Sequence, residues 1–218
     1  MSGPPPIPKA PAGDLLCVRH GLTEWNAVFR WQGRADIALT QEGIEQARRA
    51  AETLATYEPG FDVLISSPLR RARDTAEIIG TRLGLELSVI DERWVERDIG
   101  EWSGLTTSEI EARWPGMLDA WRRESVDQLP GGEHEAGMTH RVTSAMREHV
   151  SSLNGKRALV VAHGGVLHAL ANAYGSKPRP FDNLEGRWYR WHAGHRRVLA
   201  GPAVTLDRRA LRRKSNAL

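Results

Sequence analysis

Two apolar runs in this chain stop at ionisable residues. Leu15 to Val18 is followed by Arg19, His20 and Gly21, and Ala158 to Ala162 is followed by His163, Gly164 and Gly165. A buried strand has no use for Arg beside His, but the end of a strand can present both to a ligand. Arg71, just after the apolar stretch 62–66, belongs to the same rim. Such a cluster of cations and imidazoles is costly without an anion, and a tetrahedral phosphate makes it favourable. Arginine forks onto phosphate oxygens, and backbone N–H groups beside glycines such as Gly164 suit the same oxygens. A neutral imidazole is also a competent nucleophile towards phosphorus.

These groups need a scaffold that brings several strand ends together. Candidate strands are 15–19, 62–66, 86–90, 158–162, 187–192 and 196–200. Between them lie helix patterns. Residues 40–57 place Ile44, Ala47, Ala51, Leu54 and Ala55 on one stripe with Thr40 as cap. Residues 67–84 read as a helix with Ser67 as N-cap, Pro68 in the first turn and Gly84 at the stop. Segment 106–123 reads as helical in pieces, and 133–153 and 165–174 as two further helices. The alternation predicts an α/β three-layer sandwich, with a mostly parallel central sheet flanked by helices and a small helical cap. The expected organisation is a Pro-rich disordered leader (1–13), one domain (14–206) with a lid or cap at about 106–130, and a basic tail (207–218).

Longer motifs carry a resemblance. "RHGLTEWNAVFRWQGRADIALTQEG" (19–43), "SSPLRRARDTA" (66–76), "VERDIGEWSGLT" (95–106) and "VVAHGGVLHAL" (160–170), with "PGGE" (130–133), resemble in order the motifs of the histidine phosphatase superfamily, the phosphoglycerate-mutase-like enzymes. The resemblance implies a phosphoric monoester hydrolase with a nucleophilic His20. It implies Arg19, Asn26, Arg71 and His163 lining the phosphate pocket, and Glu96 as proton donor. Leu22, Phe29 and His134 depart from the usual pattern and bear on the substrate-facing surface rather than the chemistry.

The residue types fit those roles. Arg19 and Arg71 suit equatorial phosphoryl oxygens, His163 can donate a hydrogen bond to them, and Glu96 has to carry a proton to a leaving oxygen. Other readings stay open at this stage. Asn26 also suits a turn, Glu96 a surface ion pair, and Arg70 or Arg73 the place given to Arg71; His168 suits packing. Most tryptophans suit the core, with Trp31 or Trp94 bordering the substrate.

Phosphatase is the leading reading: a metal-independent phosphomonoesterase acting on a small phosphorylated metabolite through a phosphohistidine. A mutase-type phosphotransfer is the alternative, and mutases of the family carry a longer insert between the third and fourth motifs. A catalytically idle phospho-ligand module is a third reading, against which the intact Glu96 argues. No cofactor is implied, since the sequence has no zinc spacing, Walker loop or serine elbow.

Bulk properties exclude other classes. The chain has 218 residues, 26% charged, with a net charge of +3. From Asp207 onward there are five Lys/Arg and one acid, a net of +4, so the rest is about neutral and a nucleic-acid face is not expected. No run is long enough to span a membrane and the N-terminus has no apolar signal core. With Cys17 alone no intramolecular disulfide can form, and a cytoplasmic location is expected. A homodimer is left open.

Overall fold

Strand β1 (Asp14–Arg19) and strand β4 (Arg157–Ala162) are covered on both faces, which is why they read as unbroken apolar runs. In the computed structural model, which describes residues 14–123, 125–176 and 180–207, they pair in parallel with Leu15 opposite Ala158 and Arg19 opposite Ala162. The Pro-rich leader 1–13 and tail residues 208–218 lie outside the described residues. Side chains alternate between two cores, as a two-residue period requires. Leu15, Cys17, Ala158 and Val160 enter one cluster; Leu16, Val18, Leu159 and Val161 enter the other.

The sheet is completed by β2 (Val63–Ser66), β3 (Leu87–Ile90), β5 (Glu185–His192) and β6 (Arg197–Thr205), in the order β3-β2-β4-β1-β5-β6. The first four of that order are mutually parallel; β5 runs antiparallel to β1, and β6 antiparallel to β5. The parallel strands therefore release their carboxyl ends on one edge of the sheet, the edge at which ligands bind in such folds.

Helices α2 (Gln41–Leu54) and α3 (Arg70–Leu83) cover one face through Ala50, Ala51, Leu54, Ala72, Ala76 and Ile79. Helices α6 (Glu135–Ser152) and α7 (Gly164–Ala173) cover the other through Val142, Met146, Val166 and Leu170. Each fully buried Leu, Val or Met contributes about 1.5–3 kcal/mol relative to exposure. Helix α2 starts as expected: the Thr40 side chain accepts the Gly43 N–H at 3.0 Å. Helix α3 does not. It begins at Arg70, because Ser67 is turned to His163 (2.7 Å) and Asp36 accepts the Arg70 N–H (2.6 Å). Its stop is as expected, with Gly84 at φ +68°.

The cap is a third cluster. Helices α4 (Thr107–Arg113) and α5 (Met117–Arg122) contribute Ile110 and Leu118 to it, in one cluster with Ile99, Trp102 and Leu129. Trp31 meets Trp102 and Trp121 edge to face at 5.4 and 5.2 Å. Trp94 is fully buried and stacks on His149 at 6.0 Å rather than bordering a ligand site. Asp207 is buried and accepts both Nε (2.9 Å) and Nη2 (2.8 Å) of Arg49.

Candidate active site

His20 lies one residue past the end of β1 and is 2% exposed. Its Nδ1–H donates to the Gly21 carbonyl at 2.7 Å, and its Nε2 accepts from Arg71 Nε at 3.2 Å. The two bonds assign the neutral Nδ1–H tautomer and place the lone pair on Nε2. Burial pushes His20 well below its ordinary 6.5, and Arg71 and Arg19 add to the effect. The ring is therefore neutral, as a nucleophile must be.

Arg71 reaches the site from the first turn of α3. Its Nη1 donates to the Ala35 carbonyl (2.6 Å) and its Nη2 to the Gly33 carbonyl (2.8 Å). Gly33 has φ +50°, and a side chain there would collide with Ile99 at 2.5 Å, so the loop can wrap the guanidinium only with glycine. Burial lowers Arg71 to about 10, although Glu96 and Asp36 oppose the shift. Arg70 is exposed and faces Asp74, and Arg73 is half-buried, so the helix register brings Arg71 alone of the three onto His20.

Arg19 donates from Nη1 to the Phe181 carbonyl at 2.7 Å. Its Nε is buried and has no hydrogen-bond partner among the described residues. Gly164 opens α7 against it: a Cβ on Gly164 would lie 3.6 Å from that Nε. His163 is fully buried at the end of β4, with its ring 5.3 Å from that of His20. Its Nε2 is held by Ser67 Oγ at 2.7 Å, while its Nδ1 is buried without a partner among the described residues. Burial, then Arg71 and His20, holds it well below 6.5. Two unpartnered nitrogens in one buried cationic cluster point to a missing acceptor, which an anion supplies.

Glu96 faces the same cluster, close enough to act on both Arg19 and Arg71 through its charge. Oε2 accepts the Gly165 N–H at 3.0 Å and Oε1 the Arg97 N–H at 2.8 Å. A Cβ on Gly165 would lie 2.4 Å from Oε1, so only glycine leaves room for the carboxylate. The main chain around Glu96 is fixed from behind. Arg141 donates to the carbonyls of Arg93, Val95 and Glu96, and is itself held by Glu133 at 2.7 Å.

Asn26 sits in α1 (Glu24–Ala27), where it completes a capping box with Thr23. Its Oδ1 also faces Asn183 Nδ2 at 3.4 Å, and Asn183 donates to the His20 carbonyl at 2.9 Å. The turn reading of Asn26 is met by this capping box, and Asn183 links its side chain to the backbone of His20.

A family model described as histidine phosphatase superfamily, branch 1, matches residues 15–195. The chain belongs to that superfamily. Among its relatives, a glucosyl-3-phosphoglycerate phosphatase of Mycolicibacterium vanbaalenii is 36% identical over 207 residues, covering 88% of this chain and 89% of the relative. A 2,3-bisphosphoglycerate-dependent phosphoglycerate mutase of Azorhizobium caulinodans is 37% identical over 161 residues, covering 72% and 78%. The same alignment is the larger share of the mutase, which is thus shorter than this chain, and overall length does not separate the two activities. A solved mycobacterial glucosyl-3-phosphoglycerate phosphatase in complex with VO3 superposes with a TM-score of 0.77 at 32% identity, covering 90% of this chain and 99% of that one.

As a member of the histidine phosphatase superfamily, the chain carries supporting residues that sequence reasoning did not single out. Asn183 was hidden because nothing in "FDNLEG" marks it; only the reversal of β5 against β1 brings it to His20. Ser67 looks like a helix cap in the sequence, and Glu133 is only the last residue of "PGGE". Arg141 sits in mid-helix, where nothing local signals its three carbonyl contacts. His168 is half-buried on α7, and Trp102, which the spacing allows beside Glu96, belongs to the core of the cap.

Proposed function

We propose that this chain is a phosphomonoesterase that works through a phosphohistidine on His20. The observation that carries the reading is the His20 Nε2 lone pair, directed at Arg71 Nε 3.2 Å away by a tautomer locked on Gly21. In this reading Arg19, Arg71, Asn26, His163 and the Gly164 N–H hold the phosphoryl oxygens. Nε2 attacks phosphorus in line with the leaving oxygen, and the Arg guanidiniums take up charge on the equatorial oxygens. Glu96 delivers a proton to the departing alkoxide and then takes one from the water that attacks phosphohistidine.

The substrate class we infer is a small phosphorylated sugar or sugar-acid, supported by relatives named glucosyl-3-phosphoglycerate phosphatase. Helices α4 and α5 form the lid of the proposed site. Among the described residues no three His, Cys, Asp or Glu side chains are placed to hold a metal. Among them, too, no helix is long and apolar enough to cross a membrane, and we infer a cytoplasmic location.

The test is phosphate release from glucosyl-3-phosphoglycerate and other phosphorylated sugars and sugar-acids, run with and without chelator, beside an assay for conversion of 3- to 2-phosphoglycerate. Release unaffected by chelation is expected, with alkali-stable phosphate on His20 in quenched enzyme and none in His20→Ala. Isomerisation without release assigns the mutase reading supported by the Azorhizobium relative, and neither activity leaves a binding module.

A further inference from the structure

The His20–Gly21–Leu22 turn is held from more sides than its length requires. Each of its two peptide planes is fixed at both ends. In the first plane, the His20 carbonyl accepts from Asn183 Nδ2 (2.9 Å) and the Gly21 N–H donates to Thr75 Oγ1 (3.1 Å). In the second, the Gly21 carbonyl accepts the His20 Nδ1–H (2.7 Å) and the Leu22 N–H donates to Gln46 Oε1 (2.9 Å). Gly21 itself has no room for a side chain: a Cβ there would lie 2.6 Å from the Gly43 carbonyl oxygen, and one on Gly43 would lie 2.1 Å from the Leu22 oxygen. Thr75 in turn donates to the Arg71 carbonyl at 2.7 Å.

We propose that Gln46 and Thr75 are positioning residues that hold the Gly21 carbonyl where it selects the Nδ1–H tautomer of His20. The inference rests on the reading of His20 as nucleophile. A peptide is planar and trans, so anchoring the Leu22 N–H aims the Gly21 carbonyl in the opposite direction, at the imidazole. Accepting from that N–H also polarises the amide and strengthens its carbonyl as an acceptor. In the free site Arg71 Nε–H supports the same tautomer from the other side of the ring. That support ends when phosphorus takes the Nε2 lone pair, and from then on the Gly21 carbonyl alone keeps the proton on Nδ1. Thr75 links the same turn to the backbone of Arg71, so nucleophile and phosphate-binding arginine keep a fixed spacing.

The experiment uses Gln46→Met, which keeps length and loses the acceptor, and Gln46→Glu, which keeps an acceptor. The His20 tautomer is read well above pH 6.5, where the ring stays neutral, by nitrogen NMR of the full chain saturated with inorganic phosphate, and the phosphorylation step by the single-turnover burst. Gln46→Met is expected to populate the Nε2–H form and slow the burst about tenfold, the size of one net hydrogen bond, with KM little changed. Gln46→Glu is expected to restore the Nδ1–H form. A Gln46→Met protein that keeps the Nδ1–H form overturns the proposal, whether its burst is fast or slow. Should Gln46→Met fail to fold, Thr75→Val against Thr75→Ser reads the paired peptide plane in the same way. If the wild-type chain forms no phosphohistidine, the proposed function fails, while the tautomer measurement still decides this inference.

Discussion

At the scale of single residues the site is held in place by hydrogen bonds to backbone carbonyls. Arg71 spends Nη1 and Nη2 on the carbonyls of Ala35 and Gly33, which fixes its plane before any phosphate arrives. Losing such a preorganised donor is expected to lower kcat/KM in Arg71→Ala by about 3 kcal/mol. Arg70→Ala, at an exposed position paired with Asp74 at 3.4 Å, is expected to change it little. Steady-state kinetics on one substrate separates the two, and a sensitive Arg70 would contradict the geometry. Glu96 is tested by its leaving group. An alkyl alkoxide needs a proton and a nitrophenolate hardly does, so Glu96→Gln is expected to slow the burst on an alkyl phosphate far more than on p-nitrophenyl phosphate. Equal losses would make Glu96 a structural acceptor of the Gly165 and Arg97 amides and nothing more. The residues with distinctive chemistry were legible in the sequence because an Arg or His that ends an apolar run is costly to bury unless it meets a ligand. Asn183, Gln46 and Arg141 were not, because each acts by hydrogen bonds to backbone atoms distant in sequence, and such bonds leave no local pattern.

At the scale of elements, the strands and helices were legible where burial is two-sided or where caps are explicit. Strands β1 and β4 and the Thr40 and Gly84 boundaries are of that kind. What failed was the start of α3, where a serine that looks like a cap is claimed by His163 instead. Tertiary demand outweighed local capping, which is worth only about 1 kcal/mol. Likewise β6 runs to Thr205, past the predicted end at 200, because pairing with β5 sustains a stretch holding Gly201 and Pro202. The start of α7 shows how an element constrains chemistry. Gly165 is glycine because Glu96 occupies the space of its side chain, at 2.4 Å from a virtual Cβ. Gly165→Ala is therefore expected to displace the carboxylate while leaving the helix, for which alanine is the better former, intact or improved. The signature is a retained or raised melting temperature with a slowing of the single-turnover burst confined largely to alkyl phosphates. A uniform slowing of the burst on alkyl and aryl substrates would mean that the helix start itself had moved.

At the scale of the whole molecule, the fold spends stability to keep a dry cationic site. His20 and His163 are both held well below 6.5, by burial first and by Arg71 next. Well above pH 6.5 neither histidine is protonated in the native or the unfolded chain, so neither makes stability depend on pH there. Below it the unfolded chain binds protons that the native chain refuses, and stability falls as pH falls, until the depressed native values are reached. The slope is about 1.4 kcal/mol per pH unit for each histidine once the unfolded form is fully protonated. Carboxylates enter later: Asp91, raised by burial but brought down to about 2 by its bonds to Arg93 and His149, is lost only as pH falls below its ordinary 3.8. The interval from pH 6.5 to 5 therefore isolates the imidazoles from that pair. Urea unfolding across this interval is expected to show the decline, and His163→Asn to remove about half of it. In the proposed reading inorganic phosphate is the acceptor for Arg19 Nε and His163 Nδ1, and its charge favours protonated imidazole. Saturating phosphate is then expected both to raise stability and to flatten the decline, because the native histidines no longer refuse the proton. A decline that keeps its slope with phosphate bound would place the anion away from these two rings.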